Sequence, residues 1–252
     1  MYMHVFQQSE VIAMNAPAYL WYCMMAGCLG VQAAIVMGFR TLAASKGVSG
    51  MEPRVSSWSV SGTLAIWFAL ALGLTWAGAF LGSSTRIPTV QFALLAPILL
   101  GWWFLRSQPG RQLLAVVPPQ WLIGIQVFRA LGAVFLTLLA ARRLPGAFAW
   151  PAGVGDVLVG LLAPLVAIRF ARRPAATVAL AVAWNVLGLI DLVEAVAMGF
   201  ITSPSPMQLL AFDAPNELIT AFPLALVPVY LVPLSVILHL ASLMQLRSIR
   251  RV

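Results

Sequence analysis

Four charged residues stand where an apolar chain has little use for charge: Arg129, Asp156, Asp191 and Glu194 each lie inside a hydrophobic run. An ionisable side chain near the centre of a membrane helix costs roughly 2.5 to 3.5 kcal/mol on insertion scales, so such groups turn toward one another, a ligand or a wet cavity. The guanidinium stays charged, and Arg129 therefore needs a carboxylate, a set of carbonyls or an anionic ligand. Three deep acids against one deep base leave carboxylates that are protonated, hydrated or matched by a bound cation. The chemistry on offer is ion or proton binding, recognition of a small polar group, or acid–base work.

Helical spacing groups further residues with these four. In the run Trp184 to Glu194, Trp184, Gly188, Asp191 and Glu194 fall at about 0°, 40°, −20° and −80°, with Asn185 at about 100°, one broad polar face. Gln126, Arg129, Ala130, Ala133 and Thr137 share another face. Gly153, Asp156, Gly160, Ala163 and Ala167 make a small-residue stripe interrupted by a carboxylate, a pattern that lets helices approach closely. Gln126, Arg129, Asp156, Trp184, Asn185, Asp191, Glu194 and Tyr230 are accordingly expected to line a pocket for a ligand or ion, with Arg142 and Arg143 as outer contacts for an anion or a lipid phosphate. His239, isolated in the last run, reads as a hydrogen-bonding packing residue. A buried network that only fixes helix register explains the same residues and stays open beside the pocket.

The elements that position them are set by composition. Of 252 residues, 62% are hydrophobic and only 9% charged, far from the balance of soluble domains. Seven apolar segments, near 17–39, 60–82, 89–105, 119–141, 151–168, 175–199 and 219–245, each approach the ~20 residues that cross a bilayer. The expected fold is an all-α polytopic bundle forming one integral membrane domain over 1–252. Most of the 15 lysines and arginines fall in alternate connections; Arg86, Arg142 and Arg143 are the exceptions and Arg129 sits within a span. That asymmetry predicts N-terminus outside and C-terminus cytoplasmic, and it accounts for the net charge of +8 without nucleic acid. Met1 to Ala16, with no basic residue, reads as a short translocated tail.

Local signals add detail. Gly78 and Gly82 are spaced for helix packing, and Cys23 and Cys28 read as packing residues, since five positions on a helix turn them about 140° apart. Pro223, Pro228 and Pro233 predict a kinked or broken last helix. Asp213 is placed to cap that helix, with Pro215 and Glu217 in its first turn, and Met207 to Leu210 suits the membrane interface.

Named chemistries fare less well. Gly153-Val154-Gly155-Asp156 matches the GxGD signature of intramembrane aspartyl proteases, but Asp191 follows it where that family's other aspartate precedes it, and the companion elements are missing. The sole lysine, Lys46, lies in a loop, against a retinal Schiff base. No zinc-protease, haem or nucleotide-binding spacing occurs, so no cofactor, metal or assigned catalytic residue is expected. The runs Gln126 to Gly132, Gly155 to Gly160, Trp184-Asn185 and Leu218 to Pro223 resemble a family of uncharacterised bacterial multi-pass proteins, a resemblance spanning the second half of the chain and implying no activity. The leading expectation is an inner-membrane protein that binds or transports a small solute, ion or lipid headgroup in its outer half. An enzyme using Asp156, Asp191 and Glu194, or a structural subunit of a membrane complex or homo-oligomer, is the alternative.

Overall fold

The computed structural model describes residues 17–45, 57–83, 85 and 88–249. The expected N-terminal tail and the loop or terminal cations Lys46, Arg54, Arg86, Arg250 and Arg251 lie outside the described residues. All regular structure there is helical: α1 (Ala18–Ser45), α2 (Ser57–Trp76), α3 (Val90–Arg106), α4 (Gln108–Val116), α5 (Pro119–Gly124), a 3₁₀ stretch (Ile125–Gly132), α6 (Ala133–Ala140), α7 (Gly146–Arg172), α8 (Pro174–Thr202) and α9 (Val232–Ile249). Among the described residues six continuous helical stretches are long and apolar enough to cross a membrane, and α3 with α4 makes a seventh if a pair bent by 81° counts as one span. Their outward side chains are largely hydrophobic, including Leu70, Leu100, Leu161 and Val193, as hydrocarbon demands.

Two ends of the bundle differ in character. Arg106, Arg111, Arg169, Arg172, Arg173 and Arg247 gather at one, here the arginine end. The other, the loop end, carries the α2–α3, α6–α7 and α8–α9 connections, including exposed Arg142 and Arg143. The α8–α9 loop exposes Met207, Leu209 and Phe212 and is pinned by its own backbone, Asn216 N–H donating to Thr202 O at 2.9 Å.

Three elements depart from the periodicity reading. The second helix stops at Trp76, because Gly78 adopts φ 70° and closes it with paired bonds, Ala79 N to Leu74 O at 3.0 Å and Gly78 N to Thr75 O at 3.1 Å. Gly78 is therefore a helix stop, and Gly82 lies beyond the helix against Pro204. The connection after α3 contains α4, whose start is capped by Ser107 accepting from Gly110 N at 3.3 Å.

The last span changes most. Residues 218–220 form a single 3₁₀ turn, 227–231 a π-helical turn, and regular α-helix begins only at Val232. Pro228 and Pro233 each lack an N–H and cannot continue the α-helical ladder, so Leu224 O is taken by Val227 N at 2.9 Å and Val232 N–H closes a wider turn on Val227 O. Irregular backbone here is tolerated because it is packed in protein: Ala221, Leu224, Ala225, Leu226 and Val229 are all buried. Asp213 is exposed and caps nothing, since no α-helix starts near it; Glu217 is exposed as well and precedes only the short 3₁₀ turn, with no side-chain cap.

Candidate functional site

Arg129 sits near the middle of the fourth span, in eight residues wound as a 3₁₀-helix between Gly124 and Gly132. Three residues per turn stack positions i and i+3, so Gln126, Arg129 and Gly132 form one buried edge. This corrects the α-helical face: Ala133 and Thr137 are exposed, and the Thr137 hydroxyl pairs with the Tyr19 hydroxyl at 3.2 Å, away from the site. Runs of 3₁₀ winding this long are uncommon inside a helix and mark hinges or strained sequence.

Glycines bring the partners in. A Cβ at Gly160 of α7 would lie 2.4 Å from the Ala130 backbone nitrogen, and one at Gly132 would lie 2.3 Å from the Asp156 Cβ. Gly155 leaves room for the Asp191 carboxylate, and a Cβ at Gly188 of α8 would meet the His239 ring at 2.5 Å. The small-residue stripe of α7 is thus the reason two backbones and two carboxylates converge on one arginine.

That arginine is saturated. Its Nε donates to Asp156 Oδ1 at 2.8 Å, and Nη2 bridges Asp156 Oδ1 at 2.7 Å and Asp191 Oδ2. Nη1 donates to Gly188 O at 3.1 Å and faces His239 Nε2 at 3.3 Å. A guanidinium has five N–H groups, and each has a protein acceptor here. Arg129 therefore has no donor left for an anionic ligand and serves as an internal counterion.

His239 extends the network. Its Nδ1 lies 3.0 Å from Asn185 Oδ1, which can only accept, because Asn185 Nδ2 is engaged as donor to Ala181 O at 2.8 Å and Ser242 Oγ at 3.1 Å. Nδ1 hence carries the proton and Nε2 presents its lone pair to Arg129, a neutral imidazole. Trp184 packs on the ring, centroids 5.1 Å apart, and its indole donates to Val159 O at 3.3 Å. On the other side of Arg129 along the fourth span, Gln126 and Ser235 bond reciprocally: Ser235 Oγ donates to Gln126 Oε1 at 2.7 Å and Gln126 Nε2 to Ser235 O at 3.0 Å.

Gln126, Arg129, Asp156, Trp184, Asn185 and Asp191 are thus brought together. Glu194 and Tyr230 are not. Glu194 makes no ion pair or hydrogen bond among the described residues and points about 150° from the side of α8 formed by Leu192, Ala195, Val196 and Gly199. Tyr230 lies against Trp67 and Phe68 of α2, ring centroids 4.7 and 5.3 Å away, with its hydroxyl buried and without a hydrogen-bond partner among the described residues. His239 belongs to the network more centrally than an isolated histidine suggests. Ser235, His239 and Ser242 recur at four and three residues along α9, and that polar stripe was the available signal.

A cavity of about 60 Å³ runs from the loop end, where Gly82, Ser203 and Thr220 line it, down to Asp156. Its walls are apolar, chiefly Phe135, Phe148, Leu192, Val196 and Phe200, with Val227 and Val232 from the irregular last span. A second cavity of about 30 Å³ continues past Asp156 to Arg129 and Ser235. Asp156 uses only Oδ1 to bind Arg129; Oδ2 accepts no hydrogen bond among the described residues, and 15% of the side-chain surface is open. The mouth is braced by Gly82 N–H donating to Thr220 Oγ1 at 3.2 Å and Ser203 Oγ donating to Asn216 O at 3.1 Å.

Residues 87–247 match the family described as a domain of unknown function, DUF8737. The chain belongs to that family. The matched stretch contains the whole Arg129 cluster and nearly all of the cavity lining, while α1 and α2 precede it. No curated protein and no solved structure matches the chain.

Proposed function

We propose that this protein is a multi-pass inner-membrane protein, N-terminus outside and C-terminus cytoplasmic, that binds and passes a small, largely apolar ligand through the cavity above Asp156. The observation carrying this reading is continuity: one apolar cavity leads from the loop end to a carboxylate already held by a buried arginine. A network serving only to fix helix register has no need of a passage to its centre. The narrow, greasy walls favour a compact ligand over a hydrated solute. The irregular backbone at 221–231, which supplies one wall, is the segment suited to move during passage.

An enzymatic reading has less support, because Arg129 stands between Asp156 and Asp191 and pairs with both, where a shared-proton aspartate dyad needs the two carboxyls in direct contact. Single cysteines test the ligand-passage reading, in a background with Cys23 and Cys28 replaced by serine. Val196→Cys should react with a small charged methanethiosulfonate reagent added outside intact cells, whereas Val193→Cys on the exposed side of α8 should not. Equal inertness of the two would remove the outward passage.

A further inference from the structure

The cavity has one wall of a definite charge, and its balance names the ligand's. Asp156 and Asp191 together oppose only Arg129, and the remaining ring partner, His239, is neutral by its hydrogen bonds. Glu194 is a further acid, turned away from the cavity, and supplies no positive charge to balance the aspartates. With both aspartates ionised, the cluster carries one unmatched negative charge, and Asp156, whose Oδ2 accepts no hydrogen bond among the described residues, lines the cavity. Among the described residues no other charged side chain lines that cavity.

The cavity lining beside Asp156 is aromatic and aliphatic. Phe135 and Phe148 meet edge to face, ring centroids 5.2 Å apart, and both line the cavity with Asp156. An aromatic wall beside a carboxylate is the surface that binds an alkylated ammonium group, because the ring face attracts the cation and the methylenes find apolar contact. An anion would meet the unmatched carboxylate and no free donor; a bare metal cation would find one carboxylate oxygen and hydrocarbon walls, where hard cations require six or more oxygens.

Resting on the ligand-binding role above, we propose that the cavity selects a small protonated amine: a primary ammonium that donates to Asp156 Oδ2, with a short alkyl tail toward Phe148 and Val196. The 60 Å³ cavity and the 30 Å³ space beyond Asp156 limit the ligand to a compact one. The ammonium could come from a free amine or from an ethanolamine lipid headgroup. Among the described residues the lining offers no free donor for the phosphate of the latter, since the Ser203 and Thr220 hydroxyls already donate to backbone carbonyls, which favours the free amine.

Butylammonium chloride, butanol and sodium butyrate are the probes, with binding read by calorimetry and by thermal shift on the full chain in phosphatidylglycerol nanodiscs. Butylammonium should bind at least tenfold more tightly than butanol, and butyrate should not bind. Asp156→Asn should abolish the preference for the amine; it leaves Arg129 paired one to one with Asp191, so the bundle keeps a balanced charge. Val196→Phe, which fills the space without touching any charge, should abolish binding of both amine and alcohol. Equal affinity for butanol and butylammonium, or a butylammonium signal that survives Val196→Phe, overturns the amine assignment. If Val196→Cys is labelled from outside and neither probe binds, the passage stands and the amine proposal fails. Unchanged butylammonium binding when phosphatidylethanolamine is added assigns the site to a free amine; loss of binding assigns the same ammonium site to that headgroup.

Discussion

Two parts of the bundle are built from similarly apolar helices and held by different forces. Where α1 and α2 pack, the contacts are hydrocarbon and aromatic: Leu20, Met24 and Cys28 are buried on α1, and Trp67 and Phe68 of α2 close on Tyr230. Around Arg129, helices α7, α8 and α9 meet through charge, hydrogen bonds and glycine. Apolar packing inside a membrane gains little over lipid contact and tolerates repacking, whereas a saturated buried network admits one arrangement. The first part is a shell that can adjust; the second is the feature that fixes register.

If that contrast is right, Arg129→Met should have the largest effect, because it leaves Asp156 and Asp191 facing each other without a counterion. A loss of about 3–5 kcal/mol is expected, read from the unfolding midpoint in mixed detergent micelles. Replacing both aspartates by asparagine in the same chain should restore much of it. A triple variant no more stable than Arg129→Met would mean that charge is not what organises the region.

Glycine sharpens the comparison. Gly160→Ala drives a methyl into the Ala130 backbone and should cost about 1–3 kcal/mol, whereas Gly30→Ala on α1 meets nothing within 4 Å and should be neutral or gain up to about 1 kcal/mol from helix propensity. Both are measured by the same unfolding series, and equal effects at the two glycines would erase the distinction. His239→Leu removes an acceptor from Arg129 and a donor from Asn185, with an expected loss of about 1–3 kcal/mol. Tyr230→Phe should change stability least, by under about 1 kcal/mol, because the hydroxyl it deletes is buried without a partner.

The legible part of this fold was whatever depends on run length and net charge. Apolar segments long enough to span stand out by hydropathy, and counting charges is enough to send Asp156 and Asp191 to Arg129. The small-residue stripe of α7 also signalled where backbones would meet. What could not be read depends on backbone hydrogen-bond choice: nothing in Ile125 to Gly132 distinguishes three residues per turn from 3.6, and the choice moved Thr137 off the site and Gly132 onto it. Glu194 was assigned by a face spread over 180°, too broad to separate a cavity wall from the opposite side. Tyr230 shared a segment with the site, but irregular winding after Pro228 turned it toward α2. The late start of α9 likewise followed from prolines whose effect on winding has no sequence period.

The eight residues around Arg129 also set the pitch of the whole fourth span. A 3₁₀-helix rises about 2.0 Å and turns about 120° per residue, against 1.5 Å and 100° in an α-helix. Rewinding Ile125–Gly132 as α-helix would shorten that span by ~4 Å and screw its two halves against each other by ~160°. Such a turn would carry the guanidinium off both carboxylates at once and alter the floor of the cavity. Thus the electrostatic clasp on Arg129 and the winding of its helix are coupled, and whatever loosens one strains the other.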